Sequence, residues 1–244
     1  MLKRVAVFMA ISVAVLLASK AITNLLLTRA YASVPKPFTA QVQERRYGEN
    51  GDLVDLDIST YARKSDGASV TLYQLEDPNG KKNTTRVIDD LSLKKRIAVK
   101  GLTESLSTTE LSEKQIEFEK QKLINCAVNN TGETRLFLGL RTYRCQIPMI
   151  GGSLEYWAAP DLGCYPLKLE GVKQRTDGSG RQAVTIREVL QFTIGEPDPS
   201  LFAIPSWVEM DPITESAEFE RRYGKVPFSE KALRKLQALY VLKH

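Results

Sequence analysis

Between residues 136 and 207 the chain reads LFLGLRTYRC (136–145), WAAPDLGCYPL (157–167) and, after an alternating run that ends at Ile194, GEPDPSLFAIP (195–205). Short runs rich in β-branched, aromatic and leucine residues, interrupted by glycine, proline and aspartate, are typical of antiparallel strands joined by tight turns. The run 136–145 is apolar at both odd and even positions, which predicts a central strand. The prolines after residue 196 end the predicted sheet, because proline lacks the N–H that a strand ladder needs.

The N-terminal part of the chain alternates in the same way. Residues 38–47 predict a strand with Phe38, Ala40 and Val42 on one side, and Asn50-Gly51 predicts a hairpin turn. The return strand is predicted to place apolar residues on the covered side of the sheet and polar residues on the wet side. The apolar set is Val54, Leu56, Ile58, Thr60 and Ala62, the polar set is Asp55, Asp57, Ser59 and Arg63, and a late strand is predicted to place Val184, Ile186, Leu190, Phe192 and Ile194 on one side.

Two stretches change to a helical period. Ser112 to Gln115 form a capping-box sequence, and the helix that it opens is predicted to reach about Leu123 and to lie against the open face of the sheet. The tail is predicted to be helical again from Thr214. Its amphipathic run opens at Ser229 and either packs on its own domain or contacts anionic lipid. The chain is therefore predicted to be α+β: a strongly curved antiparallel half-barrel of about 8–10 strands, with helices covering the concave face and a C-terminal helical tail.

The start of the chain has the form of a targeting segment, with a short basic end, an apolar run and the sequence AYA at 30–32. We predict a signal peptide cleaved after Ala32; the alternative is a retained anchor helix from Val5 to Leu27. Both place the rest of the chain in the periplasm or on the extracytoplasmic face of the membrane. The predicted division is 1–32 for this leader, 33–208 for the half-barrel domain and 209–244 for a C-terminal helical extension.

The apparent basicity of the chain belongs mostly to this leader. The sequence holds 34 basic and 29 acidic side chains, but four of the basic ones and none of the acidic ones fall within residues 1–32. The remaining 30 basic and 29 acidic side chains leave a net charge of +1. A balanced surface of this kind gives no reason to expect nucleic-acid binding.

Three cysteines, Cys126, Cys145 and Cys164, lie in the second half of the chain. No pair has C-x-x-C spacing and the single histidine is His244, so we expect no metal site and no cofactor. Because nucleophilic catalysis usually needs an imidazole within hydrogen-bond reach, we expect no enzyme. One disulfide and one remaining thiol are expected in an exported protein. The favoured pair is Cys126 and Cys164, which ties the helix end to a sheet corner; Cys145–Cys164 is the alternative.

Two motifs resemble a known group of proteins. They are Trp157-x-x-Pro160-Asp161-Leu162-Gly163-Cys164-x-x-Leu167 and Gly195-Glu196-Pro197-Asp198-Pro199-Ser200-Leu201-Phe202-x-x-Pro205. On these motifs the chain is similar to an uncharacterised group of exported bacterial proteins, whose fold in turn resembles that of the periplasmic lipoprotein carriers. The resemblance covers about residues 38–208 and implies an antiparallel half-barrel with an apolar concave face closed by helices. It implies a fold rather than a chemistry.

Several large side chains of the predicted sheet are candidates for lining an apolar cleft, although aromatic residues at strand spacing also fill cores. These candidates are Tyr156, Trp157, Leu190 and Phe192. The leading hypothesis is a non-catalytic envelope protein that binds a lipophilic ligand or a lipidated partner in the concavity. The alternative is an envelope scaffold or sensory domain with a fully packed core that binds another protein. The leader or the C-terminal helix would bring either one close to the membrane.

Overall fold

The structure is a computed structural model that describes residues 35–48, 50–76, 79–117, 119, 126, 129–174 and 180–223. The predicted leader and the helix predicted from Ser229 lie outside these residues. The strands are β1 (Phe38–Tyr47), β2 (Leu53–Arg63), β3 (Ser69–Glu76), β4 (Lys82–Asp90), β5 (Lys95–Lys100), β6 (Ser105–Glu110), β7 (Asn130–Phe137), β8 (Leu140–Met149), β9 (Gly152–Ala159), β10 (Tyr165–Gln174), β11 (Arg181–Ile194) and β12 (Val208–Glu209). Two short 3₁₀ helices, Pro160–Leu162 and Pro199–Phe202, and an α-helix, α1 (Pro212–Tyr223), accompany them.

The twelve strands form one sheet in the order β12-β6-β5-β4-β3-β2-β1-β11-β10-β9-β8-β7. Neighbours are antiparallel except β12 and β6, which are parallel. β12 and β7 each have a single neighbour, so the described sheet is open. The predicted antiparallel sheet is confirmed, but the predicted count of about 8–10 strands is too low. The added strands are β6, the two-residue β12 and a second strand within the run that was predicted to be one.

The run 136–145 forms a hairpin, not the single central strand that its composition predicted. β7 ends at Phe137 and β8 begins at Leu140, with Leu138 and Gly139 between them. Both turn residues have positive φ, +48° and +80°, as a type I′ turn requires. Leucine seldom adopts this backbone conformation, so the sequence carried no turn signal. β7 is consequently an edge strand, and Leu136 is 74% exposed.

The two faces of the sheet are covered by different parts of the chain. We call the helix face the one that carries Phe38, because Cys126 of the helical segment and α1 both contact this face. We call the opposite one the loop face, because Pro199–Phe202 packs against it. The buried core of the loop face consists of Ala62, Val70, Ile88 and Val99, with Leu201, Phe202 and Trp207 packed against it.

Aromatic side chains converge on the helix face near the start of β1. Tyr61 on β2 and Tyr165 on β10 are separated by β1 and β11, which corresponds to about 14 Å in a flat sheet with strands ~4.8 Å apart. Their ring centroids are nevertheless 4.6 Å apart, and Phe38 packs against both rings at 5.6 and 5.0 Å. Rings from separated strands meet in this way on the concave side of a curved sheet.

The first half of β2 reverses the predicted exposure. Leu56 and Ile58, predicted to be covered, are 43% and 54% exposed on the loop face. Asp55, predicted to face water, is buried on the helix face. The reason is that Pro199–Phe202 covers the loop face only farther along, near Ala62. Alternation therefore predicted which residues share a face, but not which part of that face is covered.

A β-bulge changes the side-chain pattern of β11. The pairing of β11 with β1 skips Leu190, which is the extra residue. As a result Ile186 lies on the loop face with Arg45, and Phe192 lies on the helix face with Ala40. The prediction that Ile186 and Phe192 share one side is therefore wrong, because one extra residue switches the alternation.

Helical residues contact the helix face in two places. At the first, the predicted capping box is present: Ser112 N and Oγ donate to Gln115 Oε1 at 2.8 and 2.9 Å, and Gln115 N donates to Ser112 Oγ at 3.3 Å. Residues 113–117, 119 and 126 are helical, and the rest of this predicted helix lies outside the described residues. At the second, Glu215 of α1 forms a buried ion pair with Lys100 of β5. Full coverage of the concave face by helices stays a prediction.

Candidate functional site

A cavity of about 260 Å³ opens on the helix face at the end of β2. Glu119 of the helical segment forms one wall, and Arg63, the last residue of β2, forms another. The turn after β2 and the corner before β10 close the sides. The lining consists of Pro35, Arg63, Ser65, Asp66, Gly67, Leu91, Glu119 and Gly163.

Arg63 lies against the backbone of Gly163 at the cavity wall. In the register of β1 and β2, Arg63 is opposite Phe38, so its side chain leaves the sheet on the helix face. A Cβ atom built on Gly163 would be 2.6 Å from Arg63 Nη1, and the φ of Gly163 is +69°. Space and backbone conformation both favour glycine at this position. A larger residue at 163 would displace the guanidinium.

Arg63 is the one basic residue that lines this cavity, together with the acidic residues Asp66 and Glu119. Asp66 accepts a hydrogen bond from Ala68 N at 2.8 Å, which fixes the turn after β2. Glu119 has an interaction partner of its own. A guanidinium carries five N–H donors and no acceptor, so Arg63 offers the cavity a binding group for a carboxylate or a phosphate.

Sequence reasoning did not identify Arg63, which it placed on the wet side of β2. A signal was present, because a hairpin turn centred on Asn50-Gly51 pairs Phe38 with Arg63. Combining that register with the covered position predicted for Phe38 would have placed Arg63 on the covered face.

The aromatic cluster beside the cavity ends in polar groups. Arg187 Nη2 donates a hydrogen bond of 2.7 Å to Tyr165 Oη, and the guanidinium lies 5.6 Å from the same ring. Burial raises the pKa of both Tyr165 and Tyr61, so both phenols stay protonated at neutral pH. Phe38 and Tyr165 are buried, so the cluster forms packed core next to the cavity and carries neutral hydroxyl groups.

Farther along β1 the helix face becomes charged. Arg46 Nε donates to Glu44 Oε1 at 2.8 Å, and Asp57 is opposite Glu44 in the register. Along β1 the helix face is thus apolar near the start and charged near the end. Charge is also present level with Phe38 and Arg63, where Arg96 of β5 forms a two-point pair with Asp89 of β4 at 2.6 and 2.8 Å.

The four predicted lining residues are not brought together. Tyr156 lies on the helix face among the cysteines, and Phe192 lies on the same face against the buried start of β1. Trp157 follows Tyr156 and points to the loop face, where the Arg135 guanidinium lies 4.4 Å from its ring centroid. Leu190 is the bulge residue and is 42% exposed. A ligand on the helix face could reach only Tyr156 and Phe192.

The three cysteines form a cluster behind the cavity wall. Cys126 and Cys164 are joined by a disulfide with a Cα–Cα distance of 6.2 Å, the pair that the sequence favoured. Cys145 is a buried free thiol, and its Sγ atom is 4.0 Å from Cys126 Sγ. Burial raises the pKa of the Cys145 thiol to about 11, against a lowering by its hydrogen bond with Tyr156. Cys164 directly follows the cavity residue Gly163.

The described groups at the cavity are suited to binding. Among the residues that the structure describes, no three or more His, Cys, Asp and Glu side chains are placed to hold a metal ion. In the same described ranges, no helix has the length and apolarity needed to cross a membrane. The predicted absence of enzymatic activity stays a prediction.

Comparisons with known proteins find neighbours by structure. No protein-family model matches the chain, and no curated protein matches its sequence. PNGF-II is 13% identical with a TM-score of 0.44, and the match covers 75% of this chain and 32% of PNGF-II, so this chain spans about a third of that protein. MucB is 11% identical with a TM-score of 0.34, covering 74% of this chain and 62% of MucB. The LolA superfamily protein NE2245 from Nitrosomonas europaea is 10% identical with a TM-score of 0.35, covering 74% and 97%. One of these neighbours is thus a member of the LolA superfamily.

Proposed function

We propose that this chain is a non-catalytic cell-envelope protein that binds a lipophilic ligand, or the acyl chain of a lipidated partner, on the helix face. The observation that carries the proposal is the cavity whose wall holds Arg63, next to the aromatic cluster of Phe38, Tyr61 and Tyr165. Ligand pockets combine apolar surface with a few polar groups, and the lining here combines Pro35 and Leu91 with Arg63, Ser65 and two carboxylates.

Arg63 favours a ligand with an anionic head group. A guanidinium can form two parallel hydrogen bonds with a carboxylate or a phosphate. Asp66 and Glu119, the acidic residues of the cavity, are engaged within the chain. Arg63 is the one basic group of the lining, and it would hold the head group of a fatty acid or an anionic phospholipid on the side of the cavity away from the two carboxylates.

The cavity volume limits how much of the ligand it can hold. Pockets for drug-sized molecules measure about 300–1,000 Å³, and the described cavity measures about 260 Å³. It can hold a head group and the first methylene groups. We expect the rest of the ligand's acyl chain to run along the helix face toward Phe192 and Tyr156, the two predicted lining residues on that face.

The proposed location is the periplasm or the extracytoplasmic face of the membrane. The predicted leader, residues 1–32, supports export. The disulfide between Cys126 and Cys164 also supports it, because structural disulfides form and persist in oxidising compartments. Either the leader or the predicted extension 209–244 would keep the protein close to the membrane, where lipidated partners are found.

Titration with a dansyl-labelled undecanoic acid, followed by dansyl fluorescence, tests the proposal. We expect saturable binding to the wild type and a dissociation constant about tenfold or more higher for Arg63→Gln, because a hydrogen bond to a charged group contributes ~1.5–3 kcal/mol. Arg141→Gln is the matched control, since Arg141 is an exposed arginine at the start of β8. No uptake by the wild type, or an equal loss in both variants, would contradict the proposal.

A scaffold role is the second candidate, and β7 is the observation that favours it. β7 is an edge strand, and an edge can receive a strand from a partner protein. The register irregularity between Asn130 and Thr134 weakens this edge as a template. A protein partner that co-purifies with Arg63→Gln as well as with the wild type, and is lost when the exposed edge residue Leu136 is changed to lysine, would favour the scaffold over the carrier.

A further inference from the structure

Three sulfur atoms lie together on the helix face behind the cavity wall. Cys145 Sγ is 4.0 Å from Cys126 Sγ, and Cys126 is bonded to Cys164. The thiol of Cys145 also contacts Cys126 O at 3.5 Å, and Tyr143 and Tyr156 pack around the cluster. A free thiol is thus held close to one sulfur of a disulfide.

We propose that these cysteines form an internal disulfide-exchange site, which moves the covalent tie of the helical segment from Cys164 to Cys145. Cys145 is buried, so it gives its proton to a solvent base when the site opens transiently, and the thiolate attacks Cys126 Sγ. The Cys126–Cys145 bond forms as the Cys126–Cys164 bond breaks, and the Cys164 thiolate leaves and takes up a proton. One disulfide and one thiol are present before and after, so no oxidant or reductant is consumed.

The geometry selects the sulfur that is attacked. In thiol–disulfide exchange the attacked sulfur keeps its place in the new bond and the other sulfur leaves. The short approach of Cys145 is to Cys126, so Cys164 is the leaving group. Cys126 remains cross-linked throughout, and only its partner changes.

The leaving cysteine belongs to the wall of the cavity. Gly163 and Cys164 have φ values of +69° and +60°, and a non-glycine residue in this region is held there by its surroundings. Without its disulfide the corner would keep the backbone hydrogen bonds Gly163 N to Pro160 O and Cys164 N to Ala159 O, both 2.9 Å. Exchange therefore loosens the wall against which Arg63 lies and places a free thiol beside the cavity. This inference stands apart from ligand binding.

The environment of Cys145 sets how exchange depends on pH. The titratable groups around it are Tyr143 and Tyr156, and burial raises the pKa of Tyr156 to about 12. The Tyr156 phenol is neutral below pH 9, so its charge does not change over the range in which exchange is measured. The pKa of Cys145, about 11, lies above this range. Its thiolate fraction, and with it the exchange rate, should rise about tenfold per pH unit between pH 7 and 9.

Disulfide mapping of the full-length protein tests the proposal. The protein is incubated at pH 7, 8 and 9, quenched with acid, alkylated with N-ethylmaleimide under denaturing conditions and digested. Trypsin leaves Cys145 and Cys164 on one peptide, residues 145–168, so a protease that cuts after Glu155 is added. We expect a Cys126–Cys145 peptide to accumulate from the Cys126–Cys164 form, about tenfold faster for each pH unit.

Two variants separate exchange from a structural role of Cys145. Cys145→Ser should keep the Cys126–Cys164 bond at every pH, with no maleimide label on Cys164. Cys164→Ser should form the Cys126–Cys145 bond on air oxidation while keeping the circular-dichroism spectrum of the wild type. The proposal is overturned if the folded Cys164→Ser protein keeps two free thiols, or if no Cys126–Cys145 peptide arises from the wild type at pH 9.

Discussion

The two ends of the β1–β2 hairpin differ in side-chain burial, although the same alternating sequence pattern runs through both ends. At the start of β1, Phe38, Ala40 and Val42 are at most 1% exposed on the helix face. At its end the same face carries Glu44 and Arg46, and β2 leaves apolar side chains on the loop face in water. One alternating hairpin therefore has a dry end and a charged end. This difference shows that the strand pattern does not determine which part of each face is buried. Segments distant in the sequence, the helical segment and Pro199–Phe202, determine it.

The largest effect is expected at the dry end. Phe38→Ala removes a fully buried ring that packs against Tyr61 and Tyr165, and should lower the free energy of unfolding by about 4 kcal/mol. Urea denaturation at constant m-value is the measurement. Phe38→Leu, which keeps most of the volume, should cost less than half as much. Equal, small losses in both variants would mean that this end is not packed.

Charged groups can also be buried in this protein, as the ion pair of Lys100 with Glu215 is. Comparing this buried pair with an exposed pair separates the effect of charge from that of burial. Both side chains are buried, so Glu215→Ala strands a buried ammonium group and should cost about 3 kcal/mol. Glu44→Ala is the comparison, because its pair with Arg46 is about a third exposed and should contribute ~0–1 kcal/mol. Urea denaturation measures the loss of unfolding free energy in the two variants. Equal losses would contradict the difference between the buried and the exposed ion pair.

A smaller effect is expected at the cavity wall. Gly163→Ala meets both a positive φ and the Arg63 guanidinium, and should cost about 1–2 kcal/mol while weakening binding of the dansyl probe. Gly139→Ala is the matched control, since Gly139 also has positive φ but no atom within 4 Å of its added Cβ. Both variants should lose stability, and only Gly163→Ala should lose affinity. If Gly163→Ala and Gly139→Ala bound the dansyl probe with equal affinity, Gly163 would not be part of the binding site.

The smallest effect is expected on the loop face of the charged end. Ile58 is 54% exposed, so Ile58→Thr should change the free energy of unfolding by no more than about 0.5 kcal/mol. A loss above 2 kcal/mol in urea denaturation would show that a segment outside the described residues covers this surface. The comparison between the two ends would then fail.

Local signals in the sequence were reliable where one short motif determines the geometry. The capping box at Ser112 and the pairing of Cys126 with Cys164 are present. A hairpin turn is also present between Gly48 and Asp52, although Gly51 has the predicted positive φ and Asn50 does not. Each depends on residue types with strong conformational or chemical preferences. The antiparallel sheet followed from the same kind of pattern.

The errors arose where the outcome depends on non-local contacts or on rare backbone conformations. The turn at Leu138 uses a φ that leucine seldom adopts, and the bulge at Leu190 has no marker in the sequence. The exposure of Ile58 and the inward position of Arg63 depend on register and on what covers each face. The candidate site was missed for that reason, although the hairpin register was available to derive it.

The central claim is that an anionic amphiphile binds at the Arg63 cavity on the helix face. Backbone amide chemical shifts measured during a titration with decanoate test it most directly. The account predicts the largest shifts at Arg63, Gly67, Glu119 and Gly163, with little change at Val54, Leu56 and Ile58 of the loop face. Shifts centred on Val54, Leu56 and Ile58, or none at saturating decanoate, would contradict it.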